Sequence, residues 1–366
     1  MARFSSVDNR RARIADIAAT RGFDSVLLSS PAGVAYVTDI DVRRFVGPVL
    51  ARVSADGSLR LTASSNDRAA LDEVVPGADV SFWRAEPGMS AGTRAADIAW
   101  HSRGRTAAEG RAFVGVAAPE ALAAGRDILA EASRTRFDDE LALLRDAGRL
   151  SEIAYTATVD RMHPELRAFE IARNVDRSLR AAGGGGWWSL DESENGLSST
   201  TSFPEGIVGL LDRRQETGVL DVEDPLPFHL LPLSGAYGVA SATTAVLTEP
   251  TREVRAAGEA LSSALAAALA EVRAHALPGA VDAAFRSKAP EGADFVGFVV
   301  GTGPGDPVLA PGASRRLDES SAVSLRASAP AIPGRPRIVF QTTVVVTADG
   351  ADRLDPVIPL RLIELY

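Results

Sequence analysis

Apolar positions recur at two periods along the chain, and the alternation between those periods lays out its elements. Ile14 and Ile17 mark an opening amphipathic helix that Gly22 ends, and Ser25 to Ser29 reads as a buried strand. Val49 to Val53, Leu59 to Thr62 and Val80 to Trp83 read as short strands set off by Asp56-Gly57 and Pro76-Gly77 turns, with helices at Ala91 to Trp100 and Pro119 to Gly125. This first part ends near Arg134. From Phe137 a long helix carries Leu141, Leu144, Leu150 and Ile153 on one face, with Asp138 and Asp139 at its positive end. A second helix spans about residues 166–181, and the run Gly183 to Gly186 then leads through Trp187-Trp188 into a polar loop ending near Ser202. Strand-like stretches at 228–233 and 236–247, helices at 252–275 and 281–286, and strands at 295–300, 322–326 and 337–347 complete the pattern. The fold class is α/β (α+β) in two domains, residues 1–134 and 135–366. No repeat of solenoid period and no sustained heptad is present.

Composition narrows the function classes. With 366 residues, 46% hydrophobic and 24% charged, the chain has the makings of two folded domains. The formal charge of −9 leaves no basic surplus for phosphates, which argues against nucleic acid as a partner. With no cysteine, disulfides, thiolate metal sites and thiol nucleophiles are excluded. The N-terminus is interrupted by Arg10, Arg11, Arg13 and Asp16, and the apolar stretch Ala264 to Val272 contains Glu271 and is too short for a bilayer, so a cytoplasmic protein with no membrane partner is expected. Lys288 is the only lysine, which leaves Schiff-base chemistry a single candidate on a segment better read as solvated surface.

Several segments, taken in order, resemble a known family. Gly22-Phe-Asp-Ser-Val-Leu-Leu and Ser30-Pro-Ala-Gly-Val-Ala-Tyr-Val-Thr38 come first, then Asp139-Glu-Leu-Ala-Leu-Leu-Arg145, Ser202-Phe-Pro-Glu-Gly-Ile-Val208, Gly301-Thr-Gly-Pro-Gly305 and Thr343-Val-Val-Val-Thr-Ala-Asp-Gly350. Together they resemble the pita-bread family of prolidase, aminopeptidase P and creatinase, over nearly the whole chain. The resemblance implies a small creatinase N-terminal-like α/β domain followed by a pita-bread domain, a curved antiparallel sheet covered by helices. It also implies a homodimer, in which Arg43 and Arg44 either approach the partner's ligand or stay solvated.

Active members of the family hold two divalent ions with two Asp, one His and two Glu. The matching positions here are Pro232, Ala242, Thr302, Arg326 and Gln341. The loss does not depend on register: no Asp or Glu occurs between Pro225 and Thr248 or between Ser320 and Ala348, and no His from Ala276 to Tyr366. No metal and no cofactor are therefore expected, and the general base of creatinase is replaced by Thr302. The four histidines, His101, His163, His229 and His275, are read as structural.

The remaining candidates for chemistry are few. Arg326 offers a rigid fork to a carboxylate, or else closes an internal salt bridge. Gln341 and Thr302 add neutral hydrogen-bonding groups or simply satisfy the core, and Tyr237 offers a phenol or packs its ring. Trp187 and Trp188, with Asp191 near them, read either as a lid over a small ligand or as a dimer contact. Glu205 is the candidate general base, with a solvent-facing acid as the alternative. Gly301-x-Gly303-x-Gly305 lacks the dinucleotide spacing and reads as a strand turn. The expected function is a metal-independent hydrolase or lyase acting on a small carboxylate- or amide-bearing metabolite, with Glu205 and Arg326 as catalytic residues. The alternative is a non-catalytic binding or scaffold protein, as metal-lacking relatives serve in histone chaperones.

Overall fold

A computed structural model describes residues 4–40, 45, 47–74, 78–84, 91–100, 104–165, 167–190, 223–300, 304–307, 309, 313–331 and 336–366, and divides the chain into two units, residues 1–134 and 135–366. The first unit runs α1 (Phe4–Thr20), β1 (Ser25–Leu28), α2 (Pro31–Thr38), β2 (Leu50–Ser54), β3 (Leu59–Ser64), α3 (Arg68–Val74), β4 (Asp79–Trp83), α4 (Ala91–Trp100), β5 (Thr106–Glu109) and α5 (Pro119–Ala132). Its mixed sheet has the order β4-β3-β2-β1-β5. α2 begins where Ser30 Oγ accepts from the Gly33 amide at 2.9 Å and Pro31 takes the first helical position, and it ends at Asp39 in the left-handed region, φ 59°. Gly125 lets α5 lie against β5, since a Cβ there would meet the Ala108 carbonyl oxygen at 2.1 Å.

The second unit repeats one order of elements. Two helices, α6 (Asp138–Val159) and α7 (Ala168–Ala181), precede strands β6 (Gly185–Leu190), β7 (Leu226–Ser234), β8 (Tyr237–Gly238) and β9 (Ser241–Val246). Two more, α8 (Arg252–Glu271) and α9 (Pro278–Arg286), precede β10 (Asp294–Val300), β11 (Pro304–Pro307), β12 (Ala322–Ala329) and β13 (Ile338–Val346). Short strands β14 (Ala351–Arg353) and β15 (Ile363–Glu364) close the chain. The ten strands form one sheet of order β11-β10-β12-β13-β9-β7-β6, with β8, β14 and β15 paired to β7, β13 and β9. All pairings are antiparallel except β15 with β9.

Strand alternation divides this sheet into two faces. On one, Leu325, Phe340 and Val344 pack with Leu261, Leu265 and Ala268 of α8, while Phe228 and Leu230 pack with Leu150 and Ala154 of α6 and Ile171 and Val175 of α7. The intervening residues of the same strands, among them His229, Thr244, Ser324, Arg326, Gln341 and Thr343, point to the other face. The main core thus lies between sheet and helices; at the strand ends of the other face Val300, Ala322 and Val345 pack with Leu141, Leu144 and Ala147 of α6, and the polar middle of that face is left for function.

The two halves of the sheet meet along a thin seam. β12 and β13 share eight register pairs and β7 and β9 share five, but β13 and β9 share one, Gln341 opposite Ala242. Hydroxyl side chains take over where the ladder is missing. Thr244 Oγ1 accepts from the Val339 amide at 2.9 Å and donates to the Val339 carbonyl at 3.0 Å, and Thr343 Oγ1 donates to the Ala240 carbonyl at 2.8 Å. Behind them the Asp355 carboxylate accepts from both Ser241 and Thr342.

The sequence reading differs from this arrangement at Trp187 and Trp188, which belong to strand β6 rather than to a swinging loop. Gly185 to Leu190 pair in register with Leu233 to Phe228. Ladder hydrogen bonds along β7 override the conformational freedom of the preceding glycines.

Candidate functional site

A single cross-strand row runs over the polar face. Ser189 lies opposite His229, His229 opposite Ala242, Ala242 opposite Gln341, and Gln341 opposite Arg326. Directly opposed residues of an antiparallel pair share a face, with Cα atoms about 4.5–5.5 Å apart, so Arg326 and Gln341 are immediate neighbours. Gln341 is buried. Its Nε2 donates to Ser324 Oγ at 2.8 Å, while its Oε1 is buried and accepts no hydrogen bond. An amide oxygen left in that condition costs free energy unless a ligand or water supplies a donor. Arg326 is half-buried beside it and His229 is fully buried three strands along.

The other sequence candidates fall elsewhere. Tyr237 faces the helices, and its phenol donates to Glu140 Oε1 of α6 at 3.1 Å. Tyr237→Phe is therefore expected to lower stability by about 1.5 kcal/mol, the worth of a hydrogen bond to a charged group, and to leave ligand binding on the polar face unchanged. Thermal melts alongside titration calorimetry would check both halves of that expectation. Pro232, matched from sequence to the first carboxylate position, also faces the helices. The β7 register is unbroken from Leu226 to Ser234, so Leu231 and Leu233 occupy the polar-face side, where they cluster with Ala240. Glu205, Asp191, Thr302, Arg43, Arg44 and His101 lie outside the described residues, as does the segment 202–208.

His229 is the residue that sequence reasoning set aside. The signal was present in the turn: with Gly235 at φ 59° closing the β7–β8 hairpin, counting back in register from Ala242 arrives at His229.

Comparison with known proteins fits this geometry to a family. The model of "Metallopeptidase family M24" matches residues 142–348, more than half of the chain. The chain belongs to that family. Among solved structures, similar ones include dipeptidase PepE from Mycobacterium ulcerans, at TM-score 0.75 and 19% identity over 99% of this chain and 98% of that one. An Xaa-Pro dipeptidase from Bacillus anthracis follows at TM-score 0.72 and 15% identity, covering 98% and 100%. The N-terminal domain of FACT complex subunit SPT16 from Cicer arietinum shares the fold at TM-score 0.67 and 10% identity, covering 97% of each. None of the curated proteins compared matches the chain. The pita-bread architecture is thus that of the M24 family, a small mixed-sheet unit followed by a curled antiparallel sheet backed by helices.

The family's name implies a metal, and the donor set of this row does not fit one. A divalent ion needs several anionic oxygens or imidazoles converging on a point. The row offers a methyl group at Ala242, a neutral amide at Gln341, a fixed cation at Arg326 and one imidazole at His229. Among the described residues no group of three His, Asp or Glu side chains is placed to hold a metal ion. A guanidinium also repels a divalent ion and attracts an anion instead. Among the described residues, no helix is long and apolar enough to cross a membrane.

Proposed function

We propose that the polar face of this M24 protein binds, and acts on, a small metabolite carrying both a carboxylate and an N–H group, without a metal. The observation that carries this reading is the adjacency of Arg326 and the unpartnered Gln341 Oε1 on one row. A guanidinium presents donors in a fork that matches a carboxylate, and a buried amide oxygen asks for a donor such as an amide or amine N–H. A molecule with both groups within one strand spacing of each other, as in an N-acylated amino acid, satisfies the pair. The neutral side chains that replace carboxylates suit the same purpose, since clustered carboxylates with no cation would repel one another and take up protons.

Chemistry of the hydrolase or lyase type needs a group that moves a proton. Two candidates serve: His229, on the row, and Glu205, in the segment before β7. An imidazole can take or give a proton, and a carboxylate can act as general base. Thr302, Trp187, Trp188 and Asp191 remain candidate binding residues. A cytoplasmic homodimer is part of the same reading and is checked by sedimentation.

Titration of purified protein with a panel of N-acylated amino acids tests the reading. Arg326→Ala is expected to weaken binding by at least ~30-fold, because truncating one partner of a desolvated charge pair costs about 2 kcal/mol or more. Arg326→Lys, which keeps the charge and loses the fork, should recover only part of it. Equal binding by wild type and Arg326→Ala would overturn the anchor role. Stoichiometric Mn, Co or Zn together with metal-dependent dipeptide cleavage would overturn the metal-free reading. A protein that binds none of the panel is instead a scaffold, the alternative raised from the sequence.

A further inference from the structure

A cavity of about 320 Å³ opens in the second unit between α6 and the chain from Asp352 to Ile358. One wall approaches the helix closely at Gly148, where a Cβ would meet the Leu354 carbonyl oxygen at 2.0 Å, so only glycine lets that segment come against the middle of the helix. On α6, Arg145, Arg149 and Glu152 stand at i, i+4 and i+7 and so share one stripe facing the cavity. Across from them lie Asp352 and Arg353, and the apolar wall is Val345, Leu354, Val357 and Ile358.

Arg353 is built in rather than merely nearby. Its Nε donates to Thr342 Oγ1 at 3.0 Å, and its Nη2 donates to the carbonyls of Asp355 at 3.0 Å and Ile358 at 2.8 Å. One edge of the guanidinium is thereby fixed, and Nη1 is left over. Among the described residues Arg145 makes no hydrogen bond or ion pair, and Arg149 pairs with Asp146 alone, at 3.6 Å. The two exposed carboxylates, Glu152 and Asp352, are likewise uncommitted among the described residues, whereas Asp355 is consumed by Ser241, Thr342 and Arg353. The cavity therefore combines free cations, free anions and a branched aliphatic wall, at a volume that accommodates one small molecule.

We propose that this cavity is a binding site for a free aliphatic amino acid, its carboxylate held by Arg145 and Arg353, its ammonium by Glu152 and Asp352, and its side chain against Leu354 and Val357. A plain anion would leave the two acids facing it, and a plain amine would face the arginines. Only a molecule of both signs satisfies the whole lining. The site shares no lining residue with the polar-face row and does not rest on the function proposed for it.

Titration of the full-length protein with leucine, isocaproate and isoamylamine, followed by calorimetry or ligand-observed NMR, tests the assignment. Leucine is expected to saturate, and isocaproate and isoamylamine, each lacking one charged group, to bind at least about tenfold more weakly. Arg145→Ala, an exposed change without folding consequences, should weaken leucine by about tenfold or more, and Glu152→Gln by a similar factor. Isocaproate binding as tightly as leucine would overturn the zwitterion assignment, and so would leucine affinity unchanged in Arg145→Ala. Should leucine binding vanish in Arg326→Ala yet persist in Arg145→Ala, the amino acid occupies the polar-face row and this inference falls while the function proposed for the row stands.

Discussion

Glu140→Ala is expected to destabilise the second unit by about 3–5 kcal/mol, the range found when one partner of a buried ion pair is removed. Glu140 lies in the first turn of α6 with its side chain wholly buried, and Arg136, four residues earlier, is 3% exposed and donates to Glu140 Oε1 at 3.1 Å. The same carboxylate accepts from Tyr237 Oη at 3.1 Å and from the Phe137 amide at 3.0 Å. Arg136 also donates to the Val300 carbonyl at 2.8 Å. One acid therefore caps the helix, neutralises a buried guanidinium and ties α6 to β8. Removing it leaves Arg136 charged and without its counter-ion, a desolvation penalty that no rearrangement of an alanine relieves. At roughly 2–4 °C per kcal/mol for a unit of this size, the midpoint should fall by about 6–20 °C in calorimetry. Glu140→Gln, which keeps the acceptor oxygen, should fall less. A change within about 0.5 kcal/mol, the usual range for surface positions, would show that the pair is not buried in solution.

The second large effect belongs to Asp355, where two substitutions are expected to diverge. Asp355→Ala strands the Ser241 and Thr342 hydroxyls and weakens the hold on Arg353, all in a buried setting, and should cost about 2–4 kcal/mol. Asp355→Asn keeps a hydrogen-bonding group of the same shape. Burial raises the Asp355 pKa above the ordinary 3.8, with Arg353 opposing the shift. Between the unfolded and the raised folded value, the native state holds a proton that the unfolded chain has released. Stability therefore falls as pH rises through that interval, and the loss is complete above the folded pKa. The asparagine variant has no such proton, so it should show a flatter profile from acid to neutral pH and lose little at pH 7. Urea melts across that range decide the matter: a wild-type slope retained in Asp355→Asn would sink the assignment. Glu109 in the first unit, also raised by burial, contributes a slope of the same sign that both proteins share.

Much of the fold was legible because period and punctuation agree. Leu141, Leu144 and Leu150 mark α6 as a helix facing a core, and the stretches 322–326 and 337–347, the second rich in β-branched residues, read as the strands found at Ala322–Ala329 and Ile338–Val346. The Trp187-Trp188 segment was not legible, because four glycines speak for flexibility while only the pairing with β7 makes a strand of it. His229 escaped for a related reason. Its immediate neighbours are apolar, and its place beside Ala242 depends on the length of a hairpin turn, not on local sequence. Arg136 and Glu140 look like any solvated i,i+4 pair on a helix, and nothing in the spacing tells a buried pair from an exposed one. Arg326 and Gln341 could be named from the resemblance, but their direct opposition needed the register. The pita-bread resemblance itself gave the right family while saying nothing about what replaced its carboxylates.

The seam between β9 and β13 has a mechanical consequence. Since main-chain pairing across it is confined to Gln341 and Ala242, the gap between those two strands is governed by a handful of hydroxyls that can be added or lost one at a time. The spacing of β9 from β13, beside Gln341, can thus be changed through Thr244, Thr343 or Ser241 without rebuilding either half. A scaffold jointed in this way can adapt to molecules of new size while each half keeps its own core.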